Sequence, residues 1–150
     1  MSDLMIRKAH FHDIPELIDL MNQYIVDFYE YPRPKESGLE SLIIDLQNGK
    51  IRGTQFVAEL DKKLVGFATL YFTMNTLYVK EFVLLHDLFV LPSARRNKVG
   101  ERLFQTCLDF TRANDFAYMS WDTAKDNTVA QALYDKMGGK HSPWLQYEIE

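Results

Sequence analysis

The chain has a single cysteine, Cys107, among its 150 residues, so no disulfide can close within it. It also lacks a cysteine–histidine cluster at zinc-ligand spacing, and no metal is expected. It has no long apolar run at its start. The opening stretch MSDLMIRKAH carries charge early, which argues against a signal peptide or membrane anchor; a cytoplasmic protein with no membrane partner is the expectation. Surplus basic charge is missing too. Lys and Arg number 17 against 21 Asp and Glu, a formal net charge of −4, which excludes wholesale attraction to nucleic acid. There is no internal repeat, low-complexity run or linker, so one domain over 1–150 is expected. What remains is an ordinary globular balance, 47% apolar and 25% charged, enough to bury a core. The mild acidity suits a cationic substrate.

Leu4–Lys8 reads as a short strand. Asp13 and Glu16 read as a capping pair for a helix whose stripe is Leu17, Leu20, Met21, Tyr24 and Phe28. Tyr31-Pro32-Arg33-Pro34 breaks it. Ser37-Gly38-Leu39-Glu40 offers a second capping box, and Leu39, Leu42, Ile43 and Leu46 carry a short helix that Gly49 ends. Thr54–Leu60 and Lys63–Phe72 read as a hairpin about Asp61-Lys62. A long apolar strand from about Leu77 to Leu91 stops at Pro92. Val99, Leu103, Cys107 and Phe110 mark a helix to about Ala113. Phe116–Trp121 reads as a strand, Asn127–Met137 as a helix stopped by Gly138-Gly139, and Trp144–Ile149 as a last strand. The order β-α-α-β-β-β-α-β-α-β predicts an α/β (α+β) fold, a mixed sheet with helices on its faces. Ligands in such sheets sit beyond the carboxyl ends of strands, where helices begin.

One such junction is basic. Leu88-Phe89-Val90-Leu91-Pro92 leads through Ser93-Ala94-Arg95-Arg96-Asn97-Lys98 into Val99-Gly100. The first N–H groups of a helix lack internal partners, and the dipole adds positive character, so the turn can hold an anion. From the residues alone it reads equally as a solvated basic loop. It has neither the Walker glycines nor a G-x-G-x-x-G fingerprint.

The segment Arg95-x-x-Lys98-x-Gly100 resembles the acetyl-CoA pyrophosphate loop of the GNAT N-acetyltransferases, with Lys98 where a glycine is usual and Arg96 where another is common. Asn127-x-x-Ala130-x-x-Leu133-Tyr134-x-Lys136-x-Gly138 resembles the family's second motif, in the expected order and on the expected element. The resemblance covers almost the whole chain. It implies a mostly antiparallel sheet of six to seven strands flanked by about four helices, acetyl-CoA as co-substrate, and a primary amine as acceptor. It implies cofactor contacts at Leu88, Phe89, Val90, Arg95, Arg96, Asn97, Lys98, Val99, Gly100, Asn127, Ala130, Tyr134 and Lys136. Tyr134 would be the acid that protonates the leaving thiolate; as a bare residue it also reads as a core aromatic.

An alkylammonium has a pKa of roughly 10.4, so a proton must leave before the amine can attack. His86 and Asp87 are the candidate bases, though neighbours on a regular strand face opposite sides and both serve one site only across a bulge. His86 alone reads equally as a surface histidine. The oxyanion donor is expected among the backbone N–H groups of Leu88-Phe89-Val90. Cys107 reads as packing. Val65–Phe72 followed by Leu85–Val90 looks closest to the diamine (spermidine/spermine, thialysine) branch, where an acidic pair stands at 86 and 87; here His86 replaces the first acid. Tyr29, Glu30, Tyr78 and Asp122 are candidates for an aromatic and acidic substrate mouth, with Asp87 at its foot. The rivals are a protein or peptide N-acetyltransferase, a non-catalytic acyl-CoA sensor, and aminoglycoside modification. The resemblance also implies a homodimer, with Trp144–Ile149 as its edge.

Overall fold

The computed structural model describes residues 3–150, Arg96 by its backbone only. Five strands form one sheet in chain order: β1 (Leu4–Lys8), β2 (Gly53–Leu60), β3 (Lys63–Asn75), β4 (Lys80–Val90) and β5 (Met119–Ser120). The first four are antiparallel neighbours, and β5 lies parallel to β4. Four α-helices flank the sheet: α1 (Ile14–Asn22), α2 (Glu36–Gln47), α3 (Val99–Ala113) and α4 (Thr128–Lys136). None of the described helices is long and apolar enough to cross a membrane.

Strand alternation divides the core in two. Val57, Leu64, Phe67 and Phe89 face α1 and α2, where Leu17, Ile18, Leu20, Leu39 and Ile43 meet them. Phe56, Ala58, Ala68, Leu70, Val83 and Leu85 face α3, against Val99, Leu103, Phe104 and Cys107. Burial pushes the Cys107 thiol up to about 12, as befits a packing residue. Gly49 (φ 82) and Gly138 (φ 92) end α2 and α4 in the left-handed region that glycine tolerates best.

Several local expectations are corrected. The sheet has five strands among the described residues, where six to seven were expected. The segment Trp144–Ile149 pairs with nothing there, and its apolar side chains are exposed, Trp144 to 75% and Ile149 to 99%. β5 is short because only Met119 and Ser120 pair in register with β4. Residues 76–79 turn rather than extend. Asp13 does not cap α1: both its oxygens receive the Arg7 guanidinium (2.7 and 2.9 Å), and it accepts from the His10 N–H at 2.7 Å. Glu16 accepts instead from the Leu64 N–H at 3.1 Å. The Ser37 box does not form either, because α2 starts at Glu36 with Lys35 as its N-terminal flank. After Asn22 the helix of the Tyr24–Phe28 stripe widens into a π-helical turn, Gln23–Phe28.

Candidate functional site

Site geometry begins with a bulge in β4. Thr69 lies opposite Asp87 and Leu70 opposite Leu85, so His86 is an extra residue in the β4 edge. Core parity shows the same shift: Val83 and Leu85 face α3, and so do Leu88 and Val90. The bulge places His86 and Asp87 on one side, with Nδ1 of His86 3.0 Å from Oδ1 of Asp87. That hydrogen bond raises the His86 pKa above its ordinary value against the opposing effect of burial, and the charges of Asp87 and Asp122 add to the rise. Asp122 is thereby within electrostatic reach of His86. Asp87 is 9% exposed, whereas the His86 side chain is 58% exposed and stands edge-on to Tyr71 (5.4 Å).

Aromatic rings surround this pair. In an α-helix, residues five apart diverge; the wider π-helical turn brings both Phe28 and Tyr29 back over Tyr24. Tyr24 lies 5.0 Å from Tyr29, 6.4 Å from Phe28, 5.5 Å from Phe67 and 5.6 Å from Phe89. Burial first, then the charge of Asp87 and the Tyr29 phenol, push the Tyr24 phenol far up. Tyr71 is raised by burial and by Asp87. Helical periodicity assigns Tyr24 and Phe28 only a core role and does not mark Tyr71. The signal was a run of aromatics at 24, 28 and 29, whose shared face depends on a turn geometry that periodicity does not register.

Beside Asp87 the sheet opens. Among the described residues β4 and β5 pair only at Val83–Met119 and Leu84–Ser120, so beyond Leu84 the β4 edge has no strand neighbour there. The Leu91 N–H reaches across to the Val65 carbonyl at 2.8 Å, so alternation turns the Phe89 N–H toward β3 as well and leaves those of Leu88 and Val90 facing the gap. The expected backbone donors therefore narrow to Leu88 and Val90. Phe89 contributes its ring to the opposite face.

The gap leads to the start of α3. The 3-10 turn Pro92–Asn97 delivers the chain there, with Ala94 2% exposed as its anchor. Arg102 N donates to the Lys98 carbonyl at 3.0 Å, which leaves the N–H groups of Val99, Gly100 and Glu101 without intrahelical acceptors. Among the described side chains none caps this end. Lys98 takes the left-handed conformation, φ 57 and ψ 28, and its side chain is exposed. Arg95 Nε lies 3.3 Å from the Val90 carbonyl, and Asn97 Nδ2 lies 3.4 Å from the Ala94 carbonyl. The side chain of Arg96 lies outside the described part of the structure.

On the far side of the gap, Asn127 caps α4, its Oδ1 accepting from the Ala130 N–H at 3.1 Å. Two turns on, Tyr134 packs with Phe104 (5.6 Å) and Trp121 (5.4 Å). Burial raises the Tyr134 phenol, and Tyr29 adds to the rise. Lys136 bridges α4 to the first turn of α3 through Glu101 (2.9 Å).

The fold thus gathers Asp87, His86, Tyr29, Asp122, Leu88, Val90, Val99, Gly100 and Tyr134 about one gap. Glu30 follows Tyr29, exposed, with its backbone in the left-handed region (φ 57). Tyr78 is not brought in. It sits in the β3–β4 turn against Tyr118 (5.4 Å), seven strand residues from Asp87, or roughly 20 Å.

A gap between parallel strands, flanked by an uncapped helix start and a half-buried phenol, is what comparison with known proteins tests. The acetyltransferase (GNAT) family model matches residues 17–139. The chain belongs to that family. It is an acetyl-CoA-dependent N-acetyltransferase. It is 30% identical over 133 residues to the uncharacterized N-acetyltransferase YhfO of Bacillus subtilis, covering 89% of this chain and 87% of that one. It is 24% identical over 143 residues to the thialysine N-epsilon-acetyltransferase of Caenorhabditis elegans, covering 91% and 88%. The crystal structure of a probable acetyltransferase superposes with a TM-score of 0.86 at 25% identity over 97% of both chains. An aminoglycoside N-acetyltransferase solved with CoA superposes at 0.80 and 19% identity, over 100% of this chain and 96% of that one, a likeness of fold.

For this N-acetyltransferase, the donor set at the start of α3 fits a diphosphate: free N–H groups, no capping side chain among those described and a positive helix end. Val99, Gly100 and Glu101 have amides that could hold it. Leu88 and Val90 could donate to a cofactor arm entering the gap. The exposed Lys98 side chain leaves its backbone available at the entrance to α3.

Proposed function

We propose that this enzyme acetylates the primary amine of a small cationic molecule: a diamine, a thialysine-like amino acid or a related amine. The observation that carries the reading is the β4 bulge, which sets His86 and Asp87 side by side against an aromatic wall. A carboxylate among phenol and phenyl rings attracts an ammonium by charge, and cation–π contact adds about 0.5–2 kcal/mol. Asp87 seats the ammonium, with Tyr29, Glu30 and Asp122 at the mouth. His86, held by Asp87, takes its proton, and the neutral amine attacks the acetyl carbonyl directly. The Leu88 and Val90 N–H groups receive the charge that develops on oxygen. Tyr134 then gives its proton to the departing sulfur, and the proton that the acetylated nitrogen sheds returns the phenolate to its neutral form, directly or through solvent.

The thialysine relative supports an amine of this kind, although an acid pair is reduced here to Asp87 alone. Measuring free CoA thiol against polyamines, thialysine, amino acids, aminoglycosides and peptides tests the reading. Turnover with small amines is expected. Turnover confined to peptides would transfer the reading to a protein N-acetyltransferase, and CoA binding with silence across the panel would leave a sensor.

The same reading makes the enzyme a cytoplasmic, single-domain homodimer whose exposed Trp144–Ile149 tail contributes to the contact. Light scattering of the whole chain is expected to give twice the monomer mass, falling to the monomer in a Trp144→Ser/Ile149→Ser variant.

A further inference from the structure

Tyr134 is held by a contact that neither family motif includes. Trp121, just past β5, stands 5.0 Å from Phe104 of α3 and 5.4 Å from Tyr134 of α4, and Phe104 and Tyr134 are 5.6 Å apart. The three rings form a closed triangle. Phe104 is 1% exposed and cannot yield. The remaining side of Trp121 rests on Gly139. A Cβ there would lie 2.9 Å from Cζ2 and 3.3 Å from Cη2 of Trp121, and 3.0 Å from the Tyr134 carbonyl oxygen. Contacts below 3.0 Å are not sustained, so something would have to move. The Gly139 N–H already donates to that same Tyr134 carbonyl at 2.8 Å, which fixes the glycine against the helix end. The φ of Gly139 is not in the left-handed region, so the demand for glycine here is one of space.

We infer that Gly139 and Trp121 are positioning residues for Tyr134: the missing side chain at 139 makes the slot in which the Trp121 ring sits, and that ring sets where the Tyr134 phenol stands. This rests on the acid role proposed for Tyr134. Gly139→Ala drives the Trp121 edge toward Tyr134, displacing the phenol by a few tenths of an ångström or more. A misplacement of 1 Å costs up to about a hundredfold in rate, so a loss of about tenfold in kcat is expected. The start of α3 is untouched, so the KM for acetyl-CoA stays within about twofold.

The test uses the full chain in five variants: Gly139→Ala, Trp121→Phe, the pair together, Tyr134→Phe, and Gly139→Ala/Tyr134→Phe. Phenylalanine is shorter than tryptophan and makes room for the new methyl. Gly139→Ala is expected to lower kcat, and Gly139→Ala/Trp121→Phe to recover it to within about threefold of Trp121→Phe alone. A simple folding defect is distinguished in the Tyr134→Phe background, where it would still lower kcat. An unchanged kcat in Gly139→Ala, or no recovery in the pair, overturns the inference. An unchanged kcat in Tyr134→Phe is a different failure: it removes the acid role itself, and with it any phenol to position. Gly139→Ala added to Tyr134→Phe is expected to cost nothing further, because the group it displaces is gone; an additive loss would show that Gly139 acts elsewhere.

Discussion

The imidazole of His86 and the carboxylate of Asp87 meet at 3.0 Å although the two residues are sequence neighbours on a strand. Regular pleating would send them to opposite faces. The extra residue in β4 cancels that alternation, so an acid–base pair forms where the strand turns from core to cleft.

Asp87→Asn removes the charge proposed to seat the ammonium while keeping the shape. A hydrogen bond to a charged group is worth about 1.5–3 kcal/mol, so the amine KM is expected to rise about ten- to hundredfold with acetyl-CoA KM unchanged. Steady-state kinetics with each substrate varied in turn decide it; equal effects on both would take Asp87 out of amine binding.

The same variant reports on His86. Its pKa is raised by the hydrogen bond to Asp87, so as a base it is neutral, and able to accept a proton, only above a pH higher than the ordinary imidazole value. The acid limb of kcat/KM should lie above about 6.5 and move to lower pH in Asp87→Asn. A limb that stays in place on removing the carboxylate belongs to another group.

Tyr134→Phe is expected to lower kcat about a hundredfold, the usual scale for losing one general acid, and to leave CoA affinity within about twofold. Calorimetric titration with CoA beside single-turnover kinetics separates the two. A parallel loss of affinity would mark Tyr134 as a wall of the cofactor cleft instead.

Lys98 holds a left-handed backbone at the entrance to α3. That conformation costs a non-glycine residue roughly 1–2 kcal/mol, and glycine gives back about 0.5–1 kcal/mol in chain entropy. Lys98→Gly is therefore expected to stabilise the fold by up to about 1 kcal/mol, read as a higher urea midpoint at unchanged slope. A lower midpoint would mean that the lysine side chain contributes more than its backbone costs.

Asp13 is 4% exposed and bound to Arg7, whose guanidinium holds its pKa below the usual carboxylate range. A group lowered on folding stabilises the protein fully above its unfolded pKa, near 3.9, and loses that contribution as pH falls through the folded value. Breaking such a pair costs about 3–5 kcal/mol, so Asp13→Ala should be destabilised at pH 7 and flatter between pH 4 and 2. Urea midpoints across that range measure it; parallel curves for both proteins would assign the acid sensitivity elsewhere.

Much of the fold was legible because its signals are local. The stripes of α1 and α3, the Asp61-Lys62 turn and the glycines after α2 and α4 each depend on residues within a few positions of one another. The two family motifs are likewise contiguous, which is why the loop before Val99 and the phenol at 134 stand out in the bare sequence. Asp13 shows the limit of such reasoning. Its capping pattern is sound locally, but Arg7 on β1 offers a charged partner, and that contact wins.

The sequence by itself determined most of the helices and strands, though not the fate of Trp144–Ile149 or the extent of β5, and also that a helix begins after a basic loop and which family chemistry the chain carries, since these follow from periodicity and from motifs read in order. Only the tertiary structure decided which side of β4 His86 and Asp87 occupy, which of three adjacent N–H groups face the gap, that Tyr78 stands away from the site, and that Trp121 rests on Gly139. An inserted residue, a parting of strands and a ring seated over a glycine are relations between segments far apart in the chain. Their energies arise only once those segments touch, so no local pattern encodes them.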